Sequence, residues 1–289
     1  MKKHLSALYF FLIVVLTLTG CTTVKEEPRL EARCGIYKFD DETVERYNAI
    51  YPPVFTEPPD VILDNMAYGM PTNASIVIDR IGFANGYSHE RRQPIWVSYR
   101  ITPEEATNRV VKRTGDFRSD PLTAPSTVTP ADYKRTGYDR GHIAPAADMA
   151  WDRTAMHNSF YMSNMSPQVP MFNRGIWRLL EEWVRETAAK DGPLFVYTGP
   201  IFAPNGEAHY INNIEVPIAY YKVILAEREP RKMIGFVLNN EPSDHSLSTF
   251  CCTVDEVESK TGVDFFSSLP QEVQDDLEGR VDLQLWRFQ

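Results

Sequence analysis

His142 is the residue of this sequence with the most chemistry gathered around it. It closes the run Tyr138, Asp139, Arg140, Gly141, His142, so a carboxylate, a fixed cation, a glycine and a titratable base fall within four residues. An imidazole titrating near neutrality can take a proton from water, and a guanidinium can hold a phosphate oxygen while charge builds on it. That combination suits phosphoryl transfer. Alone the tetrapeptide is moderately specific, since a histidine beside an arginine is more often an ordinary partly exposed pair. Its surroundings add weight: Asn164, Met165, Ser166, Pro167 and Gln168 follow, then Asn173, Arg174, Gly175, Ile176 and Trp177, then Leu180 and Glu181. A basic cluster of Arg109, Lys112, Arg113 and Arg118, opposed only by Asp116, reads equally as a phosphate-facing patch or a solvated loop. His157, His209 and His245 lack such a setting and read as structural or surface residues.

These groups need elements to position them. Ser75 to Phe83 and Ile95 to Thr102 are rich in β-branched and aromatic residues, and they predict two antiparallel strands joined by a loop containing Asn85 and Gly86. Further strands are expected at Leu194 to Thr198, Val216 to Ala226 and Met233 to Leu238. Trp177, Leu180 and Val184 recur at helical spacing, which predicts a helix from about Asn173 to Lys190, stopped by Asp191 and Gly192. A second helix is expected over Val254 to Thr261, with Thr253 as N-cap and Gly262 as terminator. No internal repeat is visible. Strands that recur without a helix between each pair exclude a doubly wound sheet and predict an α+β fold: a mixed, mainly antiparallel sheet with packed helices.

The chain has 289 residues, a formal charge of −9 and 43% hydrophobic residues, a composition that excludes disordered, collagen-like and coiled-coil classes. The apolar stretch Leu5 to Leu18 sits behind Lys2 and Lys3 and reads as an export signal, which argues against a polytopic membrane protein. It ends in Leu18, Thr19, Gly20 and Cys21. Residues 1–20 are therefore expected to be a signal peptide, 21–60 an acidic, proline-rich spacer, and 61–289 the folded domain. Residues 25–60 hold nine acids against five bases and 254–282 nine against Lys260 and Arg280, whereas 61–253 carry 21 acids and 20 bases. The near-neutral middle can present a basic face to a polyanion. Export permits disulfides, and a bridge from Cys34 to Cys251 or Cys252 is expected, with connectivity open. No HExxH helix, GxSxG elbow or Gly-rich loop with Lys is present, so other common hydrolase chemistries lack their residues.

The segment ending at Cys21 resembles the lipobox of bacterial lipoproteins. The block from Asp139 to Glu181 resembles the DNA/RNA non-specific endonuclease family, of the Serratia-nuclease and endonuclease G type with a ββα-metal active site, and the resemblance runs from about Ile76 to Phe266. It implies that His142 is the general base activating water, that Arg140 contacts the phosphate, and that Asp139 orients the site. It implies that Asn173 is the direct ligand of one Mg²⁺, with Mn²⁺ as a substitute, and that Glu181 holds a water of that metal. Eight residues advance a helix by about 800°, or 80° past two turns, which lets Asn173 and Glu181 share one cleft edge. An upstream arginine of the family falls at Gly115 here, so Arg113 or Arg118 is the expected second phosphate contact. DNA and RNA are the expected partners, together with a membrane reached through lipid on Cys21, and a homodimer fits. Thr22 after Cys21 suggests the outer membrane of a bacterial envelope, facing the periplasm or the exterior.

Each residue also has a plainer reading. Asn173 could serve as an N-cap, Glu181 as a solvated helix acid, and Trp177 as core packing rather than a stacking platform. Asn164 and Gln168 are expected to satisfy loop backbone. The alternative function is a catalytically silent envelope lipoprotein binding nucleic acid or a protein partner. Against it stand the intact His142 and Asn173.

Overall fold

A computed structural model describes residues 65–71, 74–204, 207–286 and 288. The expected signal peptide, Cys21, the spacer and Cys34 lie outside the described residues. Among those described, seven strands form the main sheet in the order β1 (Ile76–Arg80), β2 (Phe83–Ser88), β3 (Gln93–Ile101), β6 (Leu194–Ile201), β9 (Ala219–Ala226), β10 (Lys232–Asn239), β11 (Cys251–Cys252), all antiparallel. The mixed α+β, mainly antiparallel fold is as expected. The first expected strand is two, β1 and β2, and Asn85 and Gly86 lie inside β2 rather than in a loop. Asn85 is fully buried there and donates through Nδ2 to the Ser163 carbonyl at 2.9 Å, which ties β2 to the turn before Met165. The strand expected over Val216 to Ala226 is broken before Ala219, with β7 (His209–Ile211) and β8 (Ile214–Val216) forming a separate ribbon.

Two short strands, β4 (Asp139–His142) and β5 (Met165–Gln168), make an antiparallel pair in which Asp139 faces Gln168 and His142 faces Met165. Between them runs the short helix α2 (Arg153–Ser159), capped by Asp152. Helix α1 (Pro103–Thr107) follows β3. After β5 the chain enters a single turn at Pro170–Phe172, then a π-type turn at Asn173–Trp177, then the long helix α3 (Arg178–Asp191). Ser166 anchors β5 by hydrogen bonds with Gln93 Oε1 at 2.6 Å and the Tyr220 hydroxyl at 2.7 Å. Asn240 fixes its end, accepting from Val169 N at 2.9 Å and donating to Pro167 O at 3.1 Å.

Alternation along the strands gives the sheet two apolar faces. Leu194, Val196, Ile224 and Ile234 pack with Trp177, Leu180 and Val184 of the π turn and α3. Phe195, Tyr197, Val223 and Leu225 pack with α4 (Val254–Thr261) and α5 (Gln271–Leu277) through Val254, Val257 and Leu277. Helix α4 has the expected limits: Thr253 accepts from Glu256 N at 3.2 Å in a capping box, and Gly262 ends it in the left-handed conformation. Cys251 and Cys252 are free thiols, both partly buried, and burial pushes their pKa values up.

Candidate active site

The β4–β5 pair brings the chemistry to one place because its backbones can close tightly. A Cβ on Gly141 would lie 2.2 Å from the Gln168 side chain, so only glycine admits that packing. Successive side chains of β4 point to opposite sides, which separates Arg140 and His142 from Asp139.

On one side His142 is 8% exposed, edge-on to Phe160 with ring centroids 4.9 Å apart and tilted against Phe117 at 5.5 Å. Its Nε2 is buried without a hydrogen-bond partner. The Arg140 guanidinium lies 4.1 Å above the Phe117 ring and that of Arg113 5.4 Å from the Phe160 centroid. Burial first, then the positive charges of Arg113 and Arg140, lower the His142 pKa to about 3. The imidazole is therefore neutral at pH 7, the form that accepts a proton.

On the other side Asp139 is gripped by Arg174, whose Nε and Nη2 donate to its two oxygens at 2.8 and 2.6 Å. Asn173 Nδ2 donates to the same carboxylate at 3.0 Å. The Asn173 amide is thereby oriented, and no described residue donates to its Oδ1. Asn173 is not the N-cap that the spacing allowed, because the helical path begins earlier, at Pro170. Nor does the eight-residue spacing from Asn173 to Glu181 run along one helix. Gly175, with φ −100° and ψ −115°, kinks the chain between Asn173 and Glu181, so the two do not share one regular helix.

Glu181 opens α3 and is half-buried. It belongs to a buried network drawn from four elements. Burial pushes its pKa up; Lys222 opposes that, Asp148 adds to it, and Arg185 and Arg113 oppose it. Lys222 is fully buried, its Nζ 3.3 Å from Thr198 Oγ1 and 4.9 Å from the Trp177 ring, and burial lowers its pKa while Glu181 and Asp148 support its charge. Asp148 accepts from the Tyr99 hydroxyl at 2.9 Å and from Arg185 Nη1 at 2.7 Å. None of Lys222, Asp148, Arg185, Tyr99, Phe117, Phe160 or the Arg174 clamp is evident from the motif. A lysine inside the otherwise apolar run Ala219–Ala226 is the one local signal that could have pointed to the network.

The structure separates the two candidate arginines. Arg113, its guanidinium 5.4 Å from the Phe160 centroid, lowers the pKa of both His142 and Glu181 by its charge. Arg118 is spent elsewhere: it donates to the Asp116 carbonyl at 2.8 Å and to the His157 carbonyl, and stacks 4.2 Å over Tyr161. Gly115 has φ +76°, a conformation that an arginine there would strain. Asn164 does satisfy loop backbone, accepting from Ala144 N at 2.9 Å and donating to Ala144 O and Ser159 O. Gln168 does not, since both its amide atoms are buried without partners over Gly141. Trp177 is fully buried against Phe172 and Tyr220, as core packing requires. His209 and His245 are exposed, and His157 lies exposed on α2.

Residues 63–272 match the family model for DNA/RNA non-specific endonucleases. The chain is 32% identical over 217 residues to the mitochondrial endonuclease G of Homo sapiens, covering 70% of this chain and 73% of that protein. It is 34% identical over 227 residues to the mitochondrial nuclease of Saccharomyces cerevisiae, covering 70% and 69%. A crystal structure of EndoG in complex with EndoGI superposes with a TM-score of 0.68 at 32% identity, covering 75% of this chain and 96% of that one.

Proposed function

This chain belongs to the DNA/RNA non-specific endonuclease family, and from that premise we propose that it is a Mg²⁺-dependent nuclease that hydrolyses phosphodiester bonds of DNA and RNA and leaves 5′-phosphate ends. The observation that carries this reading is His142: neutral, wedged between Phe117 and Phe160, with the charges of Arg113 and Arg140 acting on it. A phosphodiester bound by the two arginines offsets the positive charge that depresses the imidazole, so substrate binding raises the proton affinity of His142 when a base is needed. His142 then takes the proton of the attacking water, and Arg140 and Arg113 stabilise the charge growing on the phosphate oxygens. Asp139, held by Arg174, fixes the Asn173 amide.

The donor set suits a hard cation. No described residue donates to Asn173 Oδ1, and one neutral oxygen ligand, with Glu181 acting through water, would hold an ion that prefers oxygen and keeps most of its own waters. When bound, Mg²⁺ neutralises the scissile phosphate and stabilises the leaving oxygen, and Mn²⁺ is expected to substitute. Contacts confined to phosphate carry no base information, which supports low sequence selectivity. We further place the chain in the bacterial envelope, anchored by lipid on Cys21. The run Leu18, Thr19, Gly20, Cys21 supports that placement.

The reading is tested with the chain beginning at Thr22, incubated with plasmid, linear DNA and RNA, with Mg²⁺ and with EDTA. Mg²⁺-dependent loss of all three, with ends that ligate without kinase treatment, is the expected result. Binding without cleavage would replace the enzyme with a nucleic-acid-binding protein.

A further inference from the structure

On the sheet face opposite α3, three acids meet. Asp255 and Glu258 lie three residues apart on α4, Glu278 directly follows α5, and one carboxylate oxygen of each lies within 4.8 Å of the others. Two oxygens bound to a common Ca²⁺ at about 2.4 Å are separated by at most twice that distance, so the three can share one ion. Exposed acidic groups are common, but Glu278 is not exposed. It is 5% accessible, and its Oε1 is buried with no hydrogen-bond partner. Such an oxygen is costly unless a proton or a cation answers it.

Among the described residues, those that shift the titration of Glu278 are all acidic. Burial acts most strongly on Glu278, followed by the carboxylates of Glu258, Asp255, Asp264 and Asp275, and together they push its pKa up to about 8. Arg280, two residues on, is paired with Asp276 at 2.8 Å. Glu258 spends one oxygen on Phe265 N at 2.7 Å and keeps the other. Beneath the acids, Val254, Val257 and Leu277 pack the helices onto the sheet, so the carboxylates sit at the rim of a formed interface.

We propose that Asp255, Glu258 and Glu278 form a Ca²⁺ site, separate from the nuclease site, that clamps the end of α5 to α4. Ca²⁺ fits better than Mg²⁺ because it accepts mixed carboxylate, carbonyl and water ligands in irregular geometry, whereas Mg²⁺ demands a tight octahedron.

The test uses the detergent-solubilised full chain carrying Asn173→Ala, which removes the proposed ligand of the nuclease site, stripped with EDTA and titrated with Ca²⁺ while thermal unfolding is followed. A melting-temperature rise of roughly 3–6 °C at ten times Kd is expected. Adding Glu278→Gln, a neutral isostere that relieves the acidic crowding, should abolish the rise while melting no lower in EDTA. Asp255→Asn, on an exposed residue, should at least halve it. In the otherwise unaltered chain, Glu278→Gln should leave nuclease activity intact. No rise with Ca²⁺, or the full rise retained in both variants, would overturn the site, and an equal rise with Mg²⁺ would overturn its assignment to Ca²⁺.

Discussion

On the face of the sheet covered by α3, strands β3, β6 and β9 supply Tyr99, Thr198 and Lys222 to a buried network completed by Asp148, Glu181 and Arg185. On the opposite face β6 and β9 supply Phe195, Tyr197, Tyr221, Val223 and Leu225 to an aromatic and aliphatic core under α4 and α5. Neighbouring residues of one strand thus serve different ends: Tyr221 packs against Phe265, and Lys222 beside it joins the network of Glu181, Asp148 and Arg185. Burying charge is costly unless the charges answer one another. The lesson is that β6 and β9 turn the polar side chains Thr198 and Lys222 to the α3 face and give their other face to apolar and aromatic packing.

If that division is right, substitutions on the two faces should separate activity from stability. The largest effect is expected for His142→Ala, which should slow cleavage of plasmid DNA by roughly 10²–10⁴-fold while leaving the denaturant midpoint at or above that of the unaltered chain, since it removes a buried unpaired nitrogen. Next, Phe265→Ala on the opposite face should cost about 3–5 kcal/mol in urea unfolding, with activity per folded molecule unchanged at low temperature. A comparable loss of specific activity in Phe265→Ala would erase the distinction.

A smaller effect follows from His142 and pH. Its pKa is about 3 in the folded chain and near 6.5 when unfolded, so between these values the unfolded state binds more protons. Stability contributed by the neutral imidazole is full above pH 6.5 and is lost as pH falls toward 3. His142→Gln should flatten that decline, by at most about 1.4 kcal/mol per pH unit, in paired urea titrations at pH 7 and pH 5. An unchanged slope would mean that the imidazole is not buried as described. The smallest effect concerns the arginines: Arg113→Ala should reduce kcat/KM by roughly tenfold, a charge-assisted contact, and Arg118→Ala by less than twofold. The reverse order would place the second phosphate contact on Arg118.

Legibility in the sequence followed the range of the forces involved. Helix α4 could be read to its ends, because Thr253, Glu256 and Gly262 cap it through contacts a few residues long. The block proposed to carry the chemistry stands out in the sequence because Asp139, Arg140, Gly141 and His142 are consecutive, and they form β4. Asn85 and Gly86 misled, since Asn85 finds its partner at Ser163, far along the chain. The spacing of Asn173 and Glu181 is that of a regular helix, and nothing in it shows the kink that Gly175 introduces between them. The network beneath Glu181 leaves one trace in the sequence, Lys222 inside an apolar strand, because its members come from separate elements and no periodicity joins Tyr99, Asp148, Arg185 and Lys222.

The central claim is that His142 performs the chemistry on a scaffold that does not depend on it. Its most direct test is a time course of plasmid nicking in Mg²⁺ by the unaltered chain and by His142→Ala, with melting temperatures measured on the same preparations. The account predicts that nicking is lost in the variant at an undiminished melting temperature. A variant that nicks at the rate of the unaltered chain would contradict it.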